Sequence, residues 1–167
     1  MIETHARHRI QRNVADFNPQ ELKAETRRVR DRLEREKGRR GRQAGTDIKY
    51  GPGGMLDVYF AARYLQLRDE VMDEGDDRST MFTLERLREE GSLAEDDFET
   101  LSNGYDLLRK IDHNLRLIVG RSTRLPDPDH VIARDVAKRM RLDSTLLQET
   151  LIEQMKGIRS AYNRILN

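Results

Sequence analysis

Between Lys49 and Asp57 the sequence reads KYGPGGMLD, a cation, three glycines and a carboxylate within nine residues. A glycine pair at a helix N-terminus exposes backbone N–H groups that can receive an anion. Lys49 would add positive charge, and Asp57 would present a carboxylate beside the loop. The plainer reading is a turn that opens a helix, with Asp57 complementing the helix dipole. Gly51, Gly53 and Gly54 do not form a phosphate loop of the common kind. They lack the Gly-Lys-Ser/Thr ending, and they do not follow a strand as a dinucleotide fingerprint must.

Two further places hold candidate chemistry. Tyr59 and Arg63 stand at i and i+4 and share a helix face, where an aromatic ring and a guanidinium often simply stack. Asp112 and His113 lie in the run LRKIDHNLR. Asp112 falls on an apolar stripe, where a carboxylate is costly unless paired. It therefore calls for an Arg or Lys from a neighbouring helix. A structural ion pair is the plain reading, and a polar cluster near a functional cleft the sharper one. His113 reads as a surface or supporting residue, not a metal ligand. His5, His8 and His130 show no ligand pattern. No Ser/His/Asp or Cys/His nucleophile set can be drawn from the chain, so no catalytic residue and no metal ligand is assigned.

These residues must be positioned by helices. Asn18-Pro19-Gln20-Glu21 is a helix start with a cap, a proline at the first position and a Glu that can reach back. The helix it opens, to about Lys37, has only Leu22, Val29 and Leu33 as apolar anchors. A short polar helix is expected over Ile2 to Val14. Lys37 to Gly45 is basic and glycine-rich and reads as a mobile loop. After Gly54 a helix apolar on most of its circumference implies a central position in a bundle. Asp69 to Asp77 is an acidic turn. Ser79 or Thr80 starts a helix stopped by Gly91. Ser92-Leu93-Ala94-Glu95 reads as a capping box opening the longest helix, to about Val119. Its stripe is Phe98, Leu101, Tyr105, Leu108, Asp112, Leu115 and Val119. Gly120 ends it, and Asp127 is the expected cap of a short helix to about Met140. Asp143 or Ser144 caps the last helix, with Leu147, Leu151, Met155, Ile158, Tyr162 and Ile165 on one face. No strand and no internal repeat is evident. The expected fold is all-α, a helical bundle of six to seven helices. Residues 1–46 would form N-terminal helices and a basic linker, and residues 47–167 the bundle domain.

Composition narrows the class. The 167 residues are 37% charged and 5% aromatic, with no Trp and no Cys. Disulfides and thiolate metal sites are thereby excluded, which suits a cytoplasmic setting. No apolar run approaches the roughly 18 residues that a membrane span needs. Charge is uneven. Residues 1–50 hold 14 Lys/Arg against 8 Asp/Glu, residues 51–100 hold 5 against 14, and residues 101–167 hold 12 against 8. Such polarity can steer partners or dock a neighbouring domain. The basic run 37–42 has no interleaved aromatic residue and acidic neighbours. Nucleic-acid contact of physiological strength is therefore not expected.

The run IKYGPGGMLDVYFAARYLQL (48–67) resembles the block (L/I)K-x-G-x-G-G-(I/L)-x-D-I-E-F-x-x-Q-x-L-x-L of the glutamine synthetase (glutamate-ammonia-ligase) adenylyltransferase/deadenylylase family. Residues 105–116, YDLLRKIDHNLR, are similar to a second block, A-Y-x-F-L-R-R-L-E-H-R-L-Q. The tail, through Leu125-Pro126, Ala133 to Met140 and Ile158 to Leu166, follows the family's closing pattern. Lys49, Gly51, Gly53, Gly54, Asp57 and Phe60 match the first block, and Asp112 and His113 fit the Glu-His of the second. Tyr59 stands where the family has Glu, and Arg63 and Arg116 stand where it has Gln.

The resemblance implies a helical domain following a nucleotidyltransferase domain of the same polypeptide. It implies Lys49, Gly51, Gly53, Gly54 and Asp57 facing a nucleotide or substrate, beside a polar cluster of Tyr59, Arg63, Asp112, His113 and Arg116. The parent enzyme would use ATP and Mg²⁺, act on glutamine synthetase in nitrogen regulation, and respond to PII protein. The Gly-Ser and Asp-x-Asp pattern of the catalytic fold is absent from these residues. The chain therefore reads as one domain of a longer enzyme, holding no cofactor itself and not expected to transfer AMP alone. The second reading is a non-catalytic interaction or regulatory module whose glycine turn is structural.

Overall fold

Asn18 opens the first helix through its side chain, whose Oδ1 accepts the Gln20 N–H at 3.0 Å. The structure, a computed structural model, describes residues 18–38, 45–72 and 77–167. Among them the chain is an all-α bundle of six helices: α1 Pro19–Gly38, α2 Met55–Arg68, α3 Thr80–Glu89, α4 Glu95–Val119, α5 Val131–Arg139 and α6 Ser144–Ile165. The helix expected over Ile2 to Val14, with His5 and His8, lies outside the described residues. So do positions 39–44 of the basic loop and 73–76 of the acidic turn.

The apolar circumference of α2 has the consequence read from it. Val58, Ala61, Ala62 and Leu65 are buried, and the helix packs against α1, α3, α4 and α6. The longest helices, α4 and α6, pack face to face. Gly104 permits their approach, because a Cβ there would lie 2.7 Å from Ile158 Cδ1. Caps at Ser79, which accepts the Phe82 N–H, and at Asp143, which accepts from Thr145 and Leu146, stand where the sequence places them.

Four expectations are corrected. The core stripe of α4 runs Leu101, Gly104, Leu108, Ile111, Leu115. A heptad spacing drifts by about 20° per repeat on a straight helix. Ile111 therefore takes the core position, while Asp112 turns to the flank and Val119 is 40% exposed. Ser92 is not a cap. Its N–H, like that of Leu93, is bound to the Leu87 carbonyl, and Gly91 N–H to that of Arg88. That is a Schellman closure of α3, so α4 starts after Ala94 with three acidic residues in its first turn. Asp127 is not a cap either. Its carbonyl accepts the His130 N–H, and His130 caps α5 through Nδ1 on the Ile132 N–H at 3.2 Å.

Finally, there are strands. β1 (Thr46–Asp47) pairs antiparallel with β2 (Arg124–Leu125). Two residues are too few to show a period of two. The ladder nonetheless ties the segment before the glycine turn to the α4–α5 loop, and the Ile48 N–H to Thr123 O at 2.9 Å extends it.

Candidate functional site

The glycine turn is held by hydrogen bonds from its own chain. Asp47 Oδ1 accepts the N–H groups of Lys49 and Tyr50 at 3.1 and 2.9 Å. Gly51 N–H donates to Asp47 O, Gly54 N–H to Gly51 O, Met55 N–H to Ile48 O, Leu56 N–H to Lys49 O and Asp57 N–H to Gly54 O. Gly53 N–H donates to Asp57 Oδ2 at 2.7 Å. This is the reach-back of a capping box carried one residue further out. From Lys49 to Asp57 every amide able to donate is therefore already bonded.

Asp57 is completely buried, and two arginines meet it there. From α1, Arg30, itself fully buried, gives Nε to Asp57 Oδ1 at 2.5 Å. Its Nη2 reaches the carbonyls of Tyr50 and Gly51 at 3.2 and 3.0 Å. From α6, Arg159 Nη1 lies 3.2 and 3.0 Å from the two Asp57 oxygens. Glu34 completes the set, 3.1 Å from Arg30 and 3.5 Å from Arg159. One carboxylate thus joins α1, α2, α6 and the turn. Burial draws the Arg159 pKa down, but the charge of Asp57, its hydrogen bond and Glu34 more than compensate and hold it above the usual guanidinium value. Tyr162 packs its ring under Arg159, 5.2 Å from centroid to guanidinium carbon. Burial first, and the negative charge of Asp57 second, push its hydroxyl up to about 12.

Gly53 shows why the turn cannot carry a side chain. Its φ is +73°, and a Cβ would stand 1.8 Å from the Met155 carbonyl oxygen of α6. Gly54 and Gly51 are also buried, and their Cβ positions would fall 2.9 Å from Ile48 O and 2.5 Å from Asp47 O. Outside the turn lies a groove of about 640 Å³, lined among others by Glu34, Arg35, Gly51, Pro52, Lys156 and Arg159. Lys49 is half-buried with Nζ 5.5 Å from the Tyr50 ring.

The sequence-derived polar cluster resolves into two pairs, each within one helix. Arg63 lies over the exposed Tyr59 ring at 5.6 Å, and its guanidinium also meets Gln66. Asp112 accepts from Arg116 of its own helix at 2.8 Å, where a neighbouring helix was expected to supply the cation. His113 is exposed. Arg30, Glu34, Arg159 and Asp47 are not among the sequence-derived site residues, and Tyr162 stands there only as a position on the apolar face of the last helix. Among the described residues no group of three or more His, Cys, Asp and Glu is placed to hold a metal ion. With the turn amides also occupied, these residues do not fit a Mg²⁺–triphosphate site.

The class these features define is an all-α bundle whose central helix opens on a glycine turn locked by its own aspartate. The family described as GlnD PII-uridylyltransferase matches residues 27–166, and the chain belongs to it. The chain is also similar to curated enzymes named bifunctional glutamine synthetase adenylyltransferase/adenylyl-removing enzyme, which bears out the family resemblance. It is 37% identical over 87 residues to the Mycobacterium bovis protein, covering 51% of this chain and 9% of that one. It is 36% identical over 85 residues to the Corynebacterium glutamicum protein, covering 50% and 8%. The Mannheimia haemolytica protein is 34% identical over 113 residues, covering 65% and 11%. The chain thus spans about a tenth of the length of these relatives. Among the described residues no helix is long and apolar enough to cross a membrane.

Proposed function

We propose that this chain is the helical accessory domain of a cytoplasmic glutamine synthetase adenylyltransferase. It packs on a nucleotidyltransferase domain of the same polypeptide and supports ATP-dependent adenylylation and deadenylylation of glutamine synthetase in nitrogen regulation. The observation that carries this reading is the similarity, at 34–37% identity, to enzymes named bifunctional glutamine synthetase adenylyltransferase/adenylyl-removing enzyme. In this reading ATP and Mg²⁺ are held by the catalytic domain. The locked turn works as a rigid rim toward that domain, offering the Lys49 side chain with Gly51 and Pro52, and Gly53, Gly54 and Asp57 fix its shape from within. PII protein, which the family's description carries, is the proposed regulatory partner. The test is Lys49→Glu in the full-length protein. AMP transfer and removal should both fall by up to about a hundred-fold, the scale on which mispositioning acts, with an unchanged melting temperature. Unchanged rates in a folded variant would sink the cleft-facing role.

A second reading, a non-catalytic interaction module, is favoured by one feature. Tyr59 is 42% exposed where the family resemblance puts Glu, and a stacked Tyr–Arg pair is contact chemistry, not catalytic chemistry. Under it, Tyr59→Ala abolishes partner binding, and restoring the acid with Tyr59→Glu leaves AMP transfer unaltered.

A further inference from the structure

We propose that the groove beside the glycine turn docks an acidic peptide segment that also carries aliphatic side chains. The volume, about 640 Å³, lies within the range of roughly 300–1,000 Å³ typical of ligand sites. Its walls are unevenly compensated. Arg159 is balanced by Asp57 and Glu34, and Arg124 lies 3.6 Å from Asp47. The side chains of Arg35 and Lys156, both exposed on the groove wall, make no hydrogen bond or ion pair with another described residue. Two cations thus stand ready for carboxylates, and a guanidinium can take one bidentately. The lining also includes the apolar side chains of Pro52, Met155 and Ile152, the last 41% exposed. An acidic segment with one or more Leu, Ile or Met side chains satisfies both features together.

A nucleotide does not fit as well. Among the described residues no aromatic side chain lines the groove to stack a base, and the amides of the turn are bonded within the chain. The wall carboxylates of Glu34 and Asp47 would also repel a phosphate backbone. An extended peptide can lay its acidic side chains toward Arg35 and Lys156 and keep clear of them.

The test selects short random displayed peptides against the 167-residue chain, with the double variant Arg35→Glu/Lys156→Glu as counter-selection. Both residues are exposed, so the variant should keep its circular dichroism and melting temperature. Enriched peptides should combine Asp or Glu with Leu, Ile or Met. A synthetic peptide of that kind should bind the double variant at least about ten-fold more weakly, and Ile152→Ser should also weaken it. Millimolar phosphate or ATP should not displace it. No enrichment over the double variant, enrichment of basic or purely apolar peptides, or displacement by phosphate would each overturn the proposal. The readout involves no AMP transfer, so its outcome stands apart from that of the transferase reading.

Discussion

Asp57 is the residue on which the local structure converges. A buried carboxylate that accepts one amide and two guanidinium groups cannot be neutralised cheaply, because its partners stay buried. Removing one member of a buried ion pair costs about 3–5 kcal/mol, chiefly by leaving the other charge uncompensated. Asp57→Asn, which preserves shape, should therefore lower unfolding free energy by about that amount in urea titrations. Glu34→Gln is the control. Glu34 is partly exposed at 28%, and pairs with access to water contribute about 0–1 kcal/mol. Equal losses in the two variants would show that the clamp is not what holds the turn. Asp57 was legible in the sequence because it sits at a fixed distance from a glycine turn. Its partners were not, because Arg30 lies in a helix rich in Arg and Glu, where one buried arginine looks like the solvated ones. A signal existed: position 30 stands three residues before Leu33, at the edge of the stripe that joins Leu22, Val29 and Leu33. Arg159 likewise sits between Met155 and Tyr162 on the buried face of α6.

At the scale of elements, the turn and the helix that packs on it have to be considered together. Gly53 and Gly91 share a φ of +73°, but their surroundings differ. A Cβ on Gly53 would meet the Met155 carbonyl oxygen at 1.8 Å, whereas one on Gly91 would find nothing within 4 Å. Gly91→Ala should then show only the backbone cost of a left-handed residue, about 1–2 kcal/mol. Gly53→Ala must also push α6 away from the turn and should exceed that cost by at least about 2 kcal/mol, in line with overpacking of a filled site. Thermal melts of the two variants separate the effects, and equal melting temperatures would mean that α6 yields easily. Helix existence was readable from caps and periodicity at Asn18, Ser79 and Asp143, where one side chain decides the start. It was misread where two signals competed. Ser92 has cap chemistry, but its amide is bound by the end of α3, and its hydroxyl helps lower the pKa of Asp69, after the larger effect of Arg68. The β1–β2 pair had no local signal at all, since its register is set by tertiary contacts around Arg124, whose Nη1 reaches Gly45 O at 3.1 Å.

At the scale of the molecule, α1 is attached differently from the other helices. It packs chiefly on α2, whereas α4, α5 and α6 contact one another. Its other ties are polar: Arg30 to Asp57 and the turn carbonyls, and Arg27 and Lys23 to the carbonyls of Leu166 and Asn167. Few apolar contacts and several half-exposed hydrogen bonds mark a unit that opens before the whole. Hydrogen exchange should therefore show α1 amides exchanging at lower free energy than those of α2, α4 and α6. Asp57→Asn should lower α1 protection further while α5, which rests on α4 and α6, changes only as far as global stability falls. If α1 and α5 lost protection equally and in step, α1 would belong to the same cooperative unit. A separable α1 matters for function because Arg35 and Glu34 are its contribution to the groove. A partner that covers the groove would then close α1 onto α2, and a partner's affinity would track the integrity of a carboxylate it never touches.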